Sequence, residues 1–207
     1  DWTARIWPAI TSFLGILLAG FTAHRLFGPT AGWFAAAALA SSFFYLVIGH
    51  FNTLDMRLCF FLQLAFSSFL LAQRGGASVE ECRKWMLLAW AGAAFAVLSK
   101  GLISLVLPGA TLVLYSLLTR DFSAWRKLHP LPGIALFLAI AAPWHVLASL
   151  HNPEFAHFYF IHEHFERFLT KVHGRVEPWW YFVPVLFAAA LPWSTLACHA
   201  TVAQWND

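Results

Sequence analysis

The sequence has little charge. Asp, Glu, Lys and Arg make up 11% of its 207 residues, against about 25% in an ordinary soluble domain. That scarcity argues against a soluble domain, and the apolar content excludes a disordered chain. Cysteine is also sparse. Cys59 and Cys198 lie in apolar runs and Cys82 in a polar stretch, without paired or metal-like spacing, so all three read as structural. There is no Gly-rich phosphate loop and no Ser nucleophile elbow, which excludes the common soluble nucleotide-binding and hydrolase signatures. The net charge of +3 is spread along the chain, so no nucleic-acid surface is implied. No basic n-region precedes the first apolar run, so the chain is expected to be an internal piece of a longer protein.

What is present is apolar and aromatic. Hydrophobic residues make up 60% of the chain, with 11 Trp and 21 Phe. A helix crosses a bilayer with about 20 apolar residues. Seven stretches approach that length: Ile6–Ala23, Thr30–Gly49, Leu58–Gln73, Trp85–Ser99, Gly101–Thr119, Leu131–Leu150 and Pro178–Cys198. No membrane-barrel alternation is visible, so helices are the spanning form expected. The expected fold is therefore all-α. It is a polytopic transmembrane bundle of about seven spans, one domain over residues 1–207, with one long external interfacial-helix loop at 151–177.

Charge placement suggests an orientation. One side receives Arg25, Arg74, Arg83, Lys84, Arg120, Arg126 and Lys127, mostly in plain hydrophilic connectors. The other receives Arg5, Asp55, Arg57, Lys100 and the 151–177 loop. The first side is expected to be cytoplasmic and the second external. Asp55 and Arg57 are expected at the end of the second span, and Lys100 sits between two apolar runs with almost no loop. A charge near the hydrocarbon costs at least a few kcal/mol and needs a partner or a wet cavity. A local Asp55–Arg57 pair and a snorkelling Lys100 would satisfy that too. In the external loop, a helix opened by Pro153 would carry aromatics on one side and His and Glu on the other, suiting the interface. His162, Glu163 and His164 offer imidazole and carboxylate donors for a divalent cation; the alternative is a hydrogen-bonded interfacial face. Arg167, Lys171 and Arg175 follow. With Arg57 and Lys100 they suit either anionic lipid headgroups or a phosphate-bearing lipid substrate.

Several short motifs then occur in order: Asn52-Thr53-Leu54-Asp55, Leu98-Ser99-Lys100-Gly101-Leu102, Pro143-Trp144, His162-Glu163-His164-Phe165-Glu166-Arg167-Phe168, Pro178-Trp179-Trp180-Tyr181-Phe182-Val183-Pro184 and Leu191-Pro192-Trp193. This series resembles bacterial members of the protein mannosyltransferase superfamily, and most of all the 4-amino-4-deoxy-L-arabinose lipid A transferase-like group. The resemblance implies a C-type (GT-C) membrane glycosyltransferase. Its donor would be a polyprenyl-phosphate sugar and its acceptor lipid A, another envelope glycan or a protein, at the periplasmic face of the bacterial inner membrane. It implies an inverting displacement at the anomeric carbon, with the lipid phosphate leaving. It implies that Asp55 orients acceptor or cation, that Lys100 and Arg167 bind donor phosphate, and that His162, Glu163 and His164 contribute to a cation site. It also places the family's principal acidic residue upstream of Asp1, so this stretch is expected to be inactive alone. A transporter or flippase segment is the alternative; it would need charges deep inside several helices.

Overall fold

The computed structural model describes residues 2–166, 178 and 180–206; of residues 2–4, 162, 164–166 and 204–206 only the backbone is described. Every regular element among these is helical. That is the outcome hydrocarbon demands, since a helix satisfies its own backbone polar groups. The chain divides into two compact units. One comprises residues 1–56 with 177–207, the other residues 57–176.

In the first unit, α1 (Trp2–Phe27) and α2 (Pro29–Ser41) form a tight hairpin. Gly28 makes the turn at φ +97°, a conformation that favours glycine, and Pro29 opens α2. The helices touch closely at Gly32, where an added Cβ would stand 2.9 Å from the Gly20 carbonyl oxygen. The stretch 30–49 is not one straight helix. α2 ends at Ser41 and α3 (Phe43–His50) leaves at a 60° bend. Ser41 and Ser42 return their hydroxyls to Ala37 and Ala38 carbonyls at 2.6 and 2.8 Å, a bonding pattern that loosens a helix. The freed Phe43 N–H donates to Leu191 O at 2.9 Å, and Tyr45 Oη to Ser12 O at 2.9 Å. The C-terminal pair, α9 (Phe182–Ala189) and α10 (Ser194–Asn206), bends by 106°. Trp193 Nε1 donates to Ser41 Oγ at 2.8 Å, tying this bend to the α2 break.

The second unit is built on α4 (Asp55–Gln73), α5 (Val79–Lys100), α6 (Ile103–Thr119), the short α7 (Ser123–Arg126) and α8 (Pro130–His151). Two boundaries differ from the sequence expectation. Asp55 begins α4 rather than ending the helix before it, as suits an acid at the positive end of a helix dipole. α5 starts six residues before Trp85, so Cys82 is a buried helical residue and not part of a loop. The cause is a capping box: Ser78 Oγ accepts from Glu81 N–H at 3.1 Å, and Glu81 Oε2 accepts from Ser78 N–H at 3.2 Å. Ala72, Cys82, Met86 and Ala89 form the core where α4 meets α5.

Among the described residues three helices are long and apolar enough to cross a membrane, Arg5–Phe27, Asp55–Gln73 and Pro130–His151, or up to five if each bent pair is one span. Large apolar side chains such as Trp7, Phe13 and Leu131 stand exposed on them, as lipid-facing residues do. The chain is a membrane protein.

Trp90 shows how closely the second unit is fitted. Its Nε1 donates to Leu128 O at 2.9 Å, and its indole fills the space a Cβ on Gly133 would need, 2.1 Å from Nε1. Gly133→Ala is therefore expected to displace the indole and cost about 1–3 kcal/mol. Gly109→Ala, where nothing lies within 4 Å, should be neutral or stabilising. Thermal unfolding of the purified protein in detergent checks both.

Candidate functional site

The candidate residues fall at the ends of helices, and the packing of the second unit fixes which ends coincide. Phe61 stacks on Phe95 with ring centroids 5.2 Å apart. A Cβ on Gly92 would meet the Ala65 backbone nitrogen at 2.9 Å. α4 and α5 are thus antiparallel and in close contact. One turn beyond Phe61 and Phe95, this register brings Arg57 level with Ser99 and Lys100. Asp55 lies two residues before Arg57 in the first turn of α4.

Lys100 is the last residue of α5, where the helix dipole favours a cation. Its position is fixed by the turn that follows. Gly101 adopts φ +91° and donates its N–H to Val97 O at 2.8 Å. Ser104, at the start of α6, is buried and donates its hydroxyl to Ala96 O at 2.9 Å. A turn this short explains why two apolar runs are separated by almost no polar sequence. Arg57 is half-buried, and its Nε is enclosed without a hydrogen-bond partner among the described residues. A buried guanidinium N–H left in that state is a strong, charge-assisted donor toward any anionic oxygen that reaches it.

Beyond α8 the chain folds back over aromatic side chains. Cys82 meets His129 and Trp90 meets Gly133, so α5 and α8 run in the same direction and end on the same side of this unit. At that end His145 Nδ1 bonds Ala141 O at 2.8 Å within the helix. Around it stand Tyr159 at 5.1 Å, Phe160 at 6.3 Å and Phe155 at 6.4 Å between ring centroids. Trp144 packs edge-on against Phe155 at 5.4 Å. Burial pushes the Tyr159 phenol above its usual range, so it stays neutral. This cluster anchors the segment that follows α8, and sequence reasoning missed it. The available signal was the aromatic spacing Phe155, Tyr159 and Phe160 beside Trp144-His145.

The segment itself corrects another expectation. Helical structure starts at Phe155, not at Pro153, and residues His157–Glu166 form a π-helix. Bonds then run between residues five apart, so faces inferred from a 3.6-residue period do not apply. The cation reading of His162, Glu163 and His164 rests partly outside the described residues, since the side chains of His162 and His164 are not among them. No group of three or more His, Cys, Asp or Glu suited to a metal occurs among the described residues. Arg167, Lys171 and Arg175 also lie outside the described residues. Among the described spans the charged residues sit at helix ends: Asp55 and Arg57 open α4, Lys100 closes α5, and α6 and α8 carry none.

Comparison with known proteins identifies the family. A family model described as dolichyl-phosphate-mannose-protein mannosyltransferase matches residues 1–146. The chain is 30% identical over 209 residues to the undecaprenyl phosphate-alpha-4-amino-4-deoxy-L-arabinose arabinosyl transferase 2 of Pseudomonas fluorescens, covering 98% of this chain and 35% of that protein. It is 27% identical over 208 residues to the corresponding transferase of Erwinia tasmaniensis, covering 100% and 37%. Among solved structures it is similar to ArnT from Cupriavidus metallidurans. The apo form gives a TM-score of 0.87 at 40% identity, covering 95% of this chain and 35% of that one. The form bound to undecaprenyl phosphate gives 0.93 at 39% identity, covering 98% and 37%. The chain thus spans little more than a third of the length of these relatives. The resemblance carried by the ordered motifs holds at the level of sequence and of fold, and the chain belongs to the dolichyl-phosphate-mannose-protein mannosyltransferase family, in its aminoarabinose transferase-like branch.

Proposed function

We propose that the whole protein is a GT-C glycosyltransferase of the bacterial inner membrane. It moves 4-amino-4-deoxy-L-arabinose from an undecaprenyl-phosphate donor to lipid A at the periplasmic face. The observation that carries this reading is the fit, at TM-score 0.93 and 39% identity over 98% of the chain, to a relative bound to undecaprenyl phosphate. A count of seven spans would need α5 and α6 to cross as well as the three long apolar helices and the two bent pairs.

In this reading Arg57 and Lys100 face the donor phosphate, joined by Arg167 and Lys171 from the external segment. The acceptor oxygen attacks the anomeric carbon, the glycosidic bond to the phosphate breaks, and the phosphate oxygen takes the bonding pair. Negative charge therefore grows on the phosphate through the transition state. Cations held in place beforehand, with little water between, stabilise that charge without reorganising. The rigid α5–Gly101–α6 turn suits Lys100 to this task. Asp55 orients the acceptor or a cation, and a divalent ion at His162, Glu163 and His164 would add positive charge on the same face. Charge confined to helix ends suits chemistry at the membrane surface and not a pathway through the bundle.

Lys100→Ala, Arg57→Ala and Arg167→Ala in the full-length protein are each expected to lower sugar transfer by on the order of 10²-fold or more, with expression and membrane insertion retained. Wild-type transfer rates in all three variants, measured with purified donor lipid and lipid A, would reject these phosphate-site assignments. The aromatic cluster gives a further test. Tyr159→Ala is expected to speed amide hydrogen exchange across residues 155–163 while leaving α4 and α5 protected, as read by exchange mass spectrometry.

A further inference from the structure

A single residue holds the end of α5 from both sides of Lys100. Ser104, the second residue of α6, is 1% exposed. Its backbone N–H donates at 3.1 Å to the carbonyl of Gly101, the residue after Lys100. Its hydroxyl donates at 2.9 Å to the carbonyl of Ala96, one turn before Lys100. In a regular helix the carbonyl of residue 96 also takes the N–H of residue 100. A carbonyl oxygen has two lone pairs and can accept both. The hydroxyl therefore joins α6 to the turn of α5 that ends in Lys100.

Hydroxyls in helices commonly bond a carbonyl one turn back in their own helix. Ser99 does so, donating to Phe95 O at 2.8 Å, and so do Thr111 and Thr119 of α6, on Leu107 O and Tyr115 O at 2.8 Å each. Ser104 stands at the start of α6 with no turn of that helix behind it, and its hydroxyl crosses to α5. Helix ends fray unless they are tied. Gly101, at φ +91°, has no Cβ to restrain the chain there. The Ser104 hydroxyl ties this end to the next helix. α6 has a second buried serine, Ser116, which accepts from Trp125 Nε1 at 2.8 Å. It lies twelve residues further on, about 18 Å along the helix. The two serines share a helix and a degree of burial, and Ser104 is the one beside Lys100.

We propose that Ser104 is a positioning residue for sugar transfer: its hydroxyl fixes the last turn of α5 so that the Lys100 ammonium meets the leaving phosphate. This rests on the donor-phosphate role given to Lys100 above. A cation stabilises a developing charge best when it need not move as the charge develops. A misplacement of about 1 Å can cost on the order of 10²-fold in rate, so loosening one turn should cost about tenfold. The charge grows between ground state and transition state. The loss should therefore fall on kcat, with KM for the donor little changed.

The test uses the full-length protein in proteoliposomes with aminoarabinosyl undecaprenyl phosphate and lipid A. It measures kcat and KM for Ser104→Ala, Ser116→Ala, Lys100→Ala and the Ser104→Ala/Lys100→Ala double variant, with a melting temperature for each in detergent. Ser104→Ala should lower kcat about tenfold. Ser104→Cys keeps a weak S–H donor; it should fall between, and it covers the case in which the alanine variant does not fold. Ser116→Ala strips Trp125 Nε1 of its acceptor and should lower the melting temperature, with kcat at the wild-type value. In the Lys100→Ala background, Ser104→Ala should change the rate no further, because a residue acting through Lys100 has nothing left to position. Wild-type kcat in the Ser104 variants, an equal loss in Ser116→Ala, or a full additive loss in the double variant would overturn the proposal and leave the role of Lys100 standing. Wild-type transfer by Lys100→Ala would instead reject the phosphate-site reading, and this proposal with it.

Discussion

Everything in this chain follows from one constraint: a backbone amide or carbonyl in hydrocarbon must find its partner within the protein. Helices meet that demand segment by segment, so the elements are helices. The same medium charges several kcal/mol for an ion, so ionised side chains gather where helices end. The chemistry of the protein is then restricted to the rims of the bundle. Arg57 and Lys100 reach one rim together because α4 and α5 are antiparallel and packed in a register that glycine and alanine contacts fix.

Breaks in helices carry as much information as the helices. Ser41 and Ser42 divert hydrogen bonding onto their own hydroxyls and allow a 60° bend. The freed N–H of Phe43 is taken up by Leu191 O and the Ser41 hydroxyl by Trp193. The α5–α6 turn works on the same principle, with Gly101 and Ser104 capping the helix end that presents Lys100. Rigid placement of a cation is what electrostatic stabilisation of a leaving phosphate requires.

Much of this was legible in the sequence. The shortage of charge gave the membrane class, and the apolar runs coincide with helices. The ordered motifs around Asp55, Lys100 and Pro192 carried the family. Other features were harder to read for physical reasons. Hydropathy marks what is apolar and not where a helix is capped, so it starts α5 only at Trp85 although Ser78 and Glu81 spell the capping box. Asp55 was assigned to the wrong helix because a charge beside an apolar run looks the same at either end; only its preference for an N-terminus separates the cases. The π-helix at His157–Glu166 has no distinct sequence period to reveal it. The aromatic cluster around His145 depends on contacts between segments that a linear reading does not join.

In the function proposed for the whole protein, cations at one rim of a helical bundle drive departure of a lipid phosphate from a sugar. Reconstituting the full-length protein in proteoliposomes with aminoarabinosyl undecaprenyl phosphate and lipid A measures it directly. The account predicts one undecaprenyl phosphate released for each sugar that appears on lipid A, with none released when the acceptor is omitted. Movement of intact donor across the bilayer with no sugar transferred would contradict it and make the protein a transporter.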